Sequence, residues 1–204
     1  WEEKPRGIWY TQSTGIWQSV WLEPVNRNHI EWIRFTPDID KGTVEISYKV
    51  TDDCSLPVKT KWVLSLENKL ICEHAVTVYE RESTFTVDVF GNHVLNGSFH
   101  STGLCWSPES PTLFDVEASL IVDDKIVDQL NTYFGMRKIH IENNKVYLNN
   151  RPYYQKLILD QGYWPDGLLT APDDQTYVDD ILKAKEMGFN GCRKHEKLKI
   201  PGSC

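Results

Sequence analysis

The chain has 204 residues, of which 40% are hydrophobic and 25% charged, and a formal net charge of −7 at pH 7. This composition is typical of a globular protein of one or two domains, and the acidic balance argues against nucleic acid as a partner, because phosphate binding needs clustered Lys and Arg. No apolar run approaches the roughly 20 residues that span a bilayer, so we expect no membrane partner either.

The cysteines are odd in number and show no Cys-x-x-Cys spacing, which weighs against a zinc site or a disulfide framework. They are Cys54, Cys72, Cys105, Cys192 and Cys204. Reduced thiols are the simplest interpretation, although a single disulfide stays open. With reduced thiols, a cytoplasmic location is expected. The lack of a signal-peptide pattern carries little weight, because the true N-terminus is expected to be missing.

Residues 1–26 read GIWYTQSTGIWQSVWLEPV over most of their length. This sequence predicts two short aromatic strands joined through Ser13, Thr14 and Gly15. Too few residues are present to form a core of their own, so their apolar faces need a partner domain.

Residues 27–137 consist of short segments in which apolar residues alternate with polar ones. The segments are HIEWIRFT, TVEISYKV, TKWVLSLE, HAVTVY, TFTVDVF, LFDVEASLIVD and KIVDQLNTYFG. A period of two indicates half-buried strands. About seven strands separated by Asp, Gly, Pro and Asn turns predict an immunoglobulin-like β-sandwich.

Residues 138–204 change pattern and predict the start of a (β/α)8 (TIM) barrel. A hairpin over residues 142–145 and a turn at residues 149–151 lead into the strand LILD. A helix follows Pro172 and ends near Gly188, with an inward stripe of Val178, Ile181, Leu182 and Lys185. The second strand, in GFNGCRKH, completes a parallel βαβ segment. The predicted fold is therefore mainly β, a sandwich followed by the first βαβ of a barrel.

Polar residues stand at the ends of both barrel strands, Asp160 and Gln161 on the first and Arg193 and His195 on the second. That is the face on which such barrels keep their chemistry. At about 25 to 30 residues per βα unit, some six further units are needed to close a barrel. The sequence therefore predicts a truncated part of a larger enzyme.

Several segments, in order, resemble glycoside hydrolase family 2, which contains β-galactosidases, β-glucuronidases and β-mannosidases. STGIWQSVWLEPV is similar to the end of the family's sugar-binding-type jelly roll, and LCWSPESPTLFDVEASL to the Trp-x-Pro segment of its sandwich. The segments similar to the barrel entry and its first two strands are TYFGMRKIHI, YLNNRPYYQKLILDQGYWPDG and MGFNGCRKHEK. The resemblance covers nearly the whole chain.

The resemblance implies retaining hydrolysis of terminal β-linked sugars such as β-galactosides, by one acid/base Glu and one nucleophilic Glu. In the family both lie on later barrel strands. Glu196 is the only acid after His195 and is not expected to be either of them, so the isolated chain is predicted to be inactive. No cofactor and no metal site are implied by the residues present.

In the longer protein the resemblance assigns substrate contacts to Asp160, Trp164, Arg193 and His195. Arg193 would lie beneath the sugar and hold the nucleophile ionised. Each residue also has a structural alternative. Arg193 could form an ordinary salt bridge and His195 could pack or be solvated, while Asp160 could cap the Gly162 turn and Trp164, like Tyr163, could be buried under its loop.

A different class of function stays open, namely a free-standing β-sandwich module that binds carbohydrate or another protein. An exposed row of Trp or Tyr on one sheet face would favour that module, and a structural spacer is a third reading. The identity of the sugar is not readable from these residues. A homo-oligomer is also left open, because the second barrel strand would expose an edge.

Overall fold

The computed structural model describes residues 4, 6–7, 11–16, 20–92, 95 and 103–195, and the chain divides into two compact units. The sandwich unit comprises residues 24–153, and the βαβ unit comprises residues 1–23 and 154–204. The strands of the sandwich proper are β1 (Ile30–Asp38), β2 (Thr43–Val50), β3 (Val58–Leu66), β4 (Lys69–Val78), β5 (Glu82–Asp88), β6 (Phe114–Val122) and β7 (Lys125–Phe134). Each of the seven predicted segments therefore forms a strand.

These strands form two antiparallel sheets, one in the order β1-β2-β5 and the other in the order β4-β3-β6-β7. Their alternating sequences turn apolar residues inward, and Val44, Ile46, Tyr48 and Val50 of β2 are all fully buried. One continuous core collects the buried residues of both sheets. A mainly β chain with this arrangement is consistent with the predicted sandwich.

Trp62 of β3 belongs to this core and is fully buried. Its ring centroid is 4.7 Å from that of Tyr48 and 5.5 Å from that of Phe85. The Thr60 hydroxyl is the hydrogen-bond partner of both aromatic side chains. The indole Nε1–H of Trp62 donates to Thr60 Oγ1 at 3.1 Å, and the Tyr48 hydroxyl lies 2.9 Å from the same oxygen. Burial raises the pKa of Tyr48.

A three-stranded hairpin sheet completes the sandwich unit, with β8 (Ile139–Glu142), β9 (Lys145–Leu148) and β10 (Arg151–Pro152). Paired asparagines at 143–144 and 149–150 adopt positive φ at both turns, a conformation that Asn tolerates better than most residues. The sequence placed this hairpin in the segment 138–204. In the structure it falls within the sandwich unit.

Side chains tie the hairpin to the sandwich. Asn149 Nδ2 donates to the carbonyl oxygen of Trp106 at 2.9 Å, and Asp40 accepts from Asn150 and forms an ion pair with Lys138. The Lys138 ammonium lowers the pKa of the Asp40 carboxyl. The Arg137 guanidinium lies over the Trp106 ring, 5.0 Å from its centroid.

In the βαβ unit, β11 (Leu157–Asp160) pairs in parallel with β12 (Gly191–Lys194), and α1 (Asp174–Glu186) connects them. The helix begins where the Asp173 carboxylate accepts from the Thr176 backbone N–H at 2.8 Å. In the described part of the chain, no helix has the length and apolar character needed to cross a membrane.

Two predictions for this unit meet a different outcome. Val178, Ile181 and Leu182 are 45%, 55% and 56% exposed and Lys185 is also exposed, so the predicted inward stripe is wrong here. Two short strands offer too little apolar surface to cover the stripe. Residues 11–16 and 20–25 form no strand, while residues 8–10 and 17–19 of the predicted aromatic pair lie outside the described residues.

Candidate functional site

The carboxyl ends of β11 and β12 meet side by side. Their register pairs Leu159 with Arg193 and Asp160 with Lys194. Because side chains alternate between the two faces of a strand, Asp160 and Lys194 share one face, and Leu159 and Arg193 share the other. Two of the predicted site residues, Asp160 and Arg193, thus start from adjacent strand ends but point to opposite faces.

The Asp160 carboxylate is engaged by its neighbours. Lys194 Nζ donates to Oδ2 at 2.6 Å, and the Gly162 backbone N–H donates to Oδ1 at 2.7 Å. The second bond is the turn cap considered above as the structural alternative for Asp160. Backbone pairing also continues one residue past the strand, since the His195 N–H donates to the Asp160 carbonyl oxygen at 3.0 Å.

The Trp164 side chain connects the loop between β11 and α1 to two elements, α1 and β12. Its Nε1–H donates to Asp180 Oδ2 of α1 at 3.2 Å, and its ring meets Tyr177 edge-on with centroids 5.3 Å apart. The Lys194 ammonium lies over the indole ring, 5.5 Å from its centroid. That distance is within the range of a cation–π contact, so part of the ring is already covered.

Arg193 and His195 occupy the end of β12 that the sequence predicted for them. Arg193 is exposed and His195 is half-buried. A guanidinium in this position can bind a carboxylate or a sugar hydroxyl, and it would lower the pKa of a carboxylate placed within about 4–6 Å. Glu196 lies outside the described residues.

Asn190, which sequence reasoning did not single out, begins the pairing of the two strands. Its backbone N–H donates to the Lys156 carbonyl at 3.0 Å, its Oδ1 accepts from the Lys156 N–H at 2.8 Å, and its Nδ2 donates to the Tyr154 carbonyl at 2.8 Å. A Cβ on Gly191 would lie 2.9 Å from Leu157 Cδ2, so a larger residue there would require the end of the exposed Leu157 side chain to shift.

The contacts of Lys194 were also not predicted. The sequence argument followed one face of the strand, from Arg193 to His195, and Lys194 lies on the other face. The signal was present in the sequence. Asp160 and Lys194 stand at equivalent ends of two parallel strands, where opposite charges pair readily. As for metals, the described residues contain no group of three or more His, Cys, Asp or Glu side chains placed to hold one.

Comparison with known proteins gives a consistent family. The family model described as Glycosyl hydrolases family 2 matches residues 28–137. A β-galactosidase from Thermoanaerobacter pseudethanolicus is 26% identical over 184 residues, covering 88% of this chain and 24% of the relative. A β-galactosidase from Leuconostoc mesenteroides is 27% identical over 198 residues, covering 88% of this chain and 18% of the relative. The chain thus spans a quarter or less of the length of these relatives.

Solved structures show the same fold. A glycosyl hydrolase family 2 member from Bacteroides cellulosilyticus matches 85% of this chain and 23% of its own with a TM-score of 0.67 at 20% identity. A β-glucuronidase from Ruminococcus gnavus, in complex with C6-substituted uronic isofagomine, matches 84% of this chain and 26% of its own with a TM-score of 0.63 at 16% identity. Because the family model covers more than half of the sequence, the chain belongs to the glycosyl hydrolases of family 2, a family of glycosidases.

Proposed function

We propose that the chain is the part of a retaining family 2 glycosidase that leads into the catalytic barrel and forms its first βαβ segment. One observation carries the proposal. In a chain of this family, β11, α1 and β12 form a parallel βαβ with Arg193 and His195 at the carboxyl end of β12. That end is where a (β/α)8 barrel holds its catalytic and binding residues.

The domain organisation follows from the same proposal. Residues 1–26 are the tail of a jelly-roll domain, residues 27–137 are an immunoglobulin-like sandwich and residues 138–204 are the start of the barrel. The match of the family model to residues 28–137 supports the central domain. The parallel pairing of β11 and β12 supports the third, because antiparallel hairpins do not need a helical crossover.

The substrate of the longer protein is a terminal β-linked sugar, as the names of the β-galactosidase relatives suggest. Both catalytic Glu residues lie on later barrel strands, outside this chain. Arg193 and His195 face the sugar, and Arg193 holds the nucleophile ionised through its charge. Asp160 and Trp164 border the site, with Lys194 holding both in place.

Activity measurements test this proposal. The purified 204-residue chain should not turn over nitrophenyl β-galactoside or β-glucuronide, whereas a longer protein that continues these residues through a complete barrel should. In that longer protein, Arg193→Ala should lower kcat/KM about 100-fold or more, since it removes a charge that acts on the reacting centre. Lys183→Ala, on the exposed side of α1 away from the stripe of Val178, Ile181 and Leu182, is the control. Turnover by the 204-residue chain itself would overturn the proposal.

The outer faces of the sandwich bear on the alternative, a free-standing binding module. On the β1-β2-β5 sheet, Trp32 stands in a row with Lys49 and Glu82, and on the other sheet Tyr133 stands opposite Asp115. Among the residues that the structure describes, neither face carries the row of exposed aromatics which that alternative calls for. The hydrolase proposal is therefore preferred.

A further inference from the structure

The chain passes from helix to strand between Phe189 and Asn190. The N–H groups of Met187, Gly188 and Phe189 all still bond to carbonyls of α1, the last to Ala184 at 3.0 Å. The N–H of Asn190 bonds instead to the carbonyl oxygen of Lys156, the residue that precedes β11. Gly188 makes the reversal possible with a φ of 85°. One peptide unit thus separates the last helix bond from the first strand bond.

The side chain of Asn190 takes over a bond that the backbone would otherwise provide. In a regular parallel ladder, one residue is bonded through its N–H and its carbonyl to two different residues of the neighbouring strand. Here Lys156 is bonded at both groups by Asn190, at its carbonyl by the backbone N–H and at its own N–H by Oδ1. The second amide group, Nδ2, reaches back to Tyr154.

We infer that Asn190 is a positioning residue that sets the register of β12 against β11, and thereby determines the face on which Arg193 lies. A slip of one residue would turn every β12 side chain to the opposite face. Arg193 would then share the face of Asp160, and Lys194 would share that of Leu159. The backbone ladder pairs only four residues of each strand, so the side-chain bonds at its start are a large part of what can fix the register.

The Asn190 amide makes two bonds, and the one to the Lys156 N–H is the bond that the inference depends on. The side chain accepts that hydrogen bond and donates another, at 2.8 Å each, to two backbone groups of the same neighbouring segment. Asn does both with a short side chain, whereas Asp at neutral pH can only accept and Leu can do neither. The consequence of the register for substrate binding rests on the proposed function, in which Arg193 faces the sugar. The role of Asn190 in strand pairing is independent of that proposal.

The register can be read by a disulfide. Ile158 lies directly opposite Cys192 in the parallel pair, so Ile158→Cys should form a cross-link with the native Cys192 on mild oxidation. Peptide mapping by mass spectrometry identifies the bridge, in a Cys204→Ser background. With Asn190 intact, the 158–192 bridge should dominate. With Asn190→Leu, its yield should fall several-fold, and the exchange of the Lys156 amide should speed up by about tenfold.

A conservative variant and a matched control complete the experiment. Asn190→Asp keeps an acceptor for the Lys156 N–H but loses the donor to the Tyr154 carbonyl, so it should preserve most of the amide protection and most of the bridge. Gln155→Ala, an exposed amide in the same segment, should change neither. If Asn190→Leu unfolds α1, fast exchange of the α1 amides will reveal it. In that case the Asn190→Asp variant provides the test of the inference. Unchanged cross-linking and protection in a folded Leu variant would overturn the inference, and so would loss of both in the Asp variant.

These readouts use the 204-residue chain without any sugar. A failure of the register test therefore leaves the turnover assays of the longer protein unaffected. A failure of the turnover assays likewise leaves the role of Asn190 in strand pairing intact. The two proposals can be disproved separately.

Discussion

The sandwich unit and the βαβ unit use similar apolar residues with opposite results. In the sandwich unit, Trp62, Tyr48 and Phe114 are fully buried between two sheets. In the βαβ unit, α1 has no buried residue, and Leu159 of β11 is 53% exposed. Two facing sheets close a core around their apolar faces, whereas one helix and two strands do not. Stability in this chain is therefore expected to be concentrated in residues 24–153.

The largest expected effect comes from truncating one large apolar side chain in each unit. Trp62→Ala should lower the free energy of unfolding by about 3–5 kcal/mol, because it opens a cavity between Tyr48 and Phe85. Leu182→Ala on α1 should change it by less than about 0.5 kcal/mol, since the side chain is already in water. Denaturant titration followed by Trp fluorescence and circular dichroism measures both. Equal costs would contradict the contrast.

A smaller effect is expected from the strand-end contacts that replace a core in the βαβ unit. Lys194→Met removes the charge that bonds Asp160 and covers Trp164, while keeping most of the apolar stem. We expect a shifted indole N–H signal for Trp164 in NMR spectra and several-fold faster exchange of the His195 amide. Lys185→Met on α1 should leave both unchanged. If Lys194→Met also left the Trp164 signal and the His195 exchange unchanged, the contacts of Lys194 with Asp160 and Trp164 would have no role in holding this loop.

Thiol chemistry should separate the two units without any mutation in the core. Burial raises the pKa of Cys54, Cys72 and Cys105, all in the sandwich unit, and Cys54 is almost inaccessible. Cys192 is exposed on β12. In a Cys204→Ser protein, Cys192 should react first with a thiol reagent at neutral pH, because reaction needs an accessible thiolate. Faster labelling of Cys54 would show that the sandwich core opens readily.

The smallest effect concerns the start of α1 and depends on pH. Hydrogen bonds from Thr176 lower the pKa of Asp173 below its ordinary value of 3.8. Since the ionised form is the one that caps the helix, the cap contributes stability above that pH and is lost as the pH falls below it. The protection of the first-turn amides of α1, taken relative to their intrinsic exchange rate at each pH, should therefore fall below pH 3.8. Asp173→Asn, which retains a cap without the charge, should remove that pH dependence.

The strands and helix were predictable because their signals are local. TVEISYKV alternates with period two, so it can present only one apolar face to a core. The apolar residues Val44, Ile46, Tyr48 and Val50 of β2 are buried as that pattern predicts, and Ser47 of the opposite face is buried as well. The asparagine pairs at 143–144 and 149–150 marked both hairpin turns. The helix likewise begins at the acidic residues that follow Pro172.

The features that were missed depend on contacts distant in sequence. The stripe on α1 was visible as a pattern, but a pattern does not say whether another element covers it. Arg193 and His195 were predicted to contact substrate from their place at a strand end and from the family resemblance. Their neighbour Lys194 was not, because its pairing with Asp160 follows from the parallel register of β11 and β12.

The bonds from Asn149, Asn150 and Lys138 to the sandwich have a practical consequence for dividing the protein. A sandwich expressed only to Arg137 would lack the hairpin. The backbone carbonyl of Trp106 would then lose its bond from Asn149, and the carboxylate of Asp40 would lose Lys138 and Asn150. A truncation after Tyr153 keeps all of them, and also the bond from the Tyr153 hydroxyl to Glu109. Residues 24–153 are thus the better limits for crystallising the sandwich by itself.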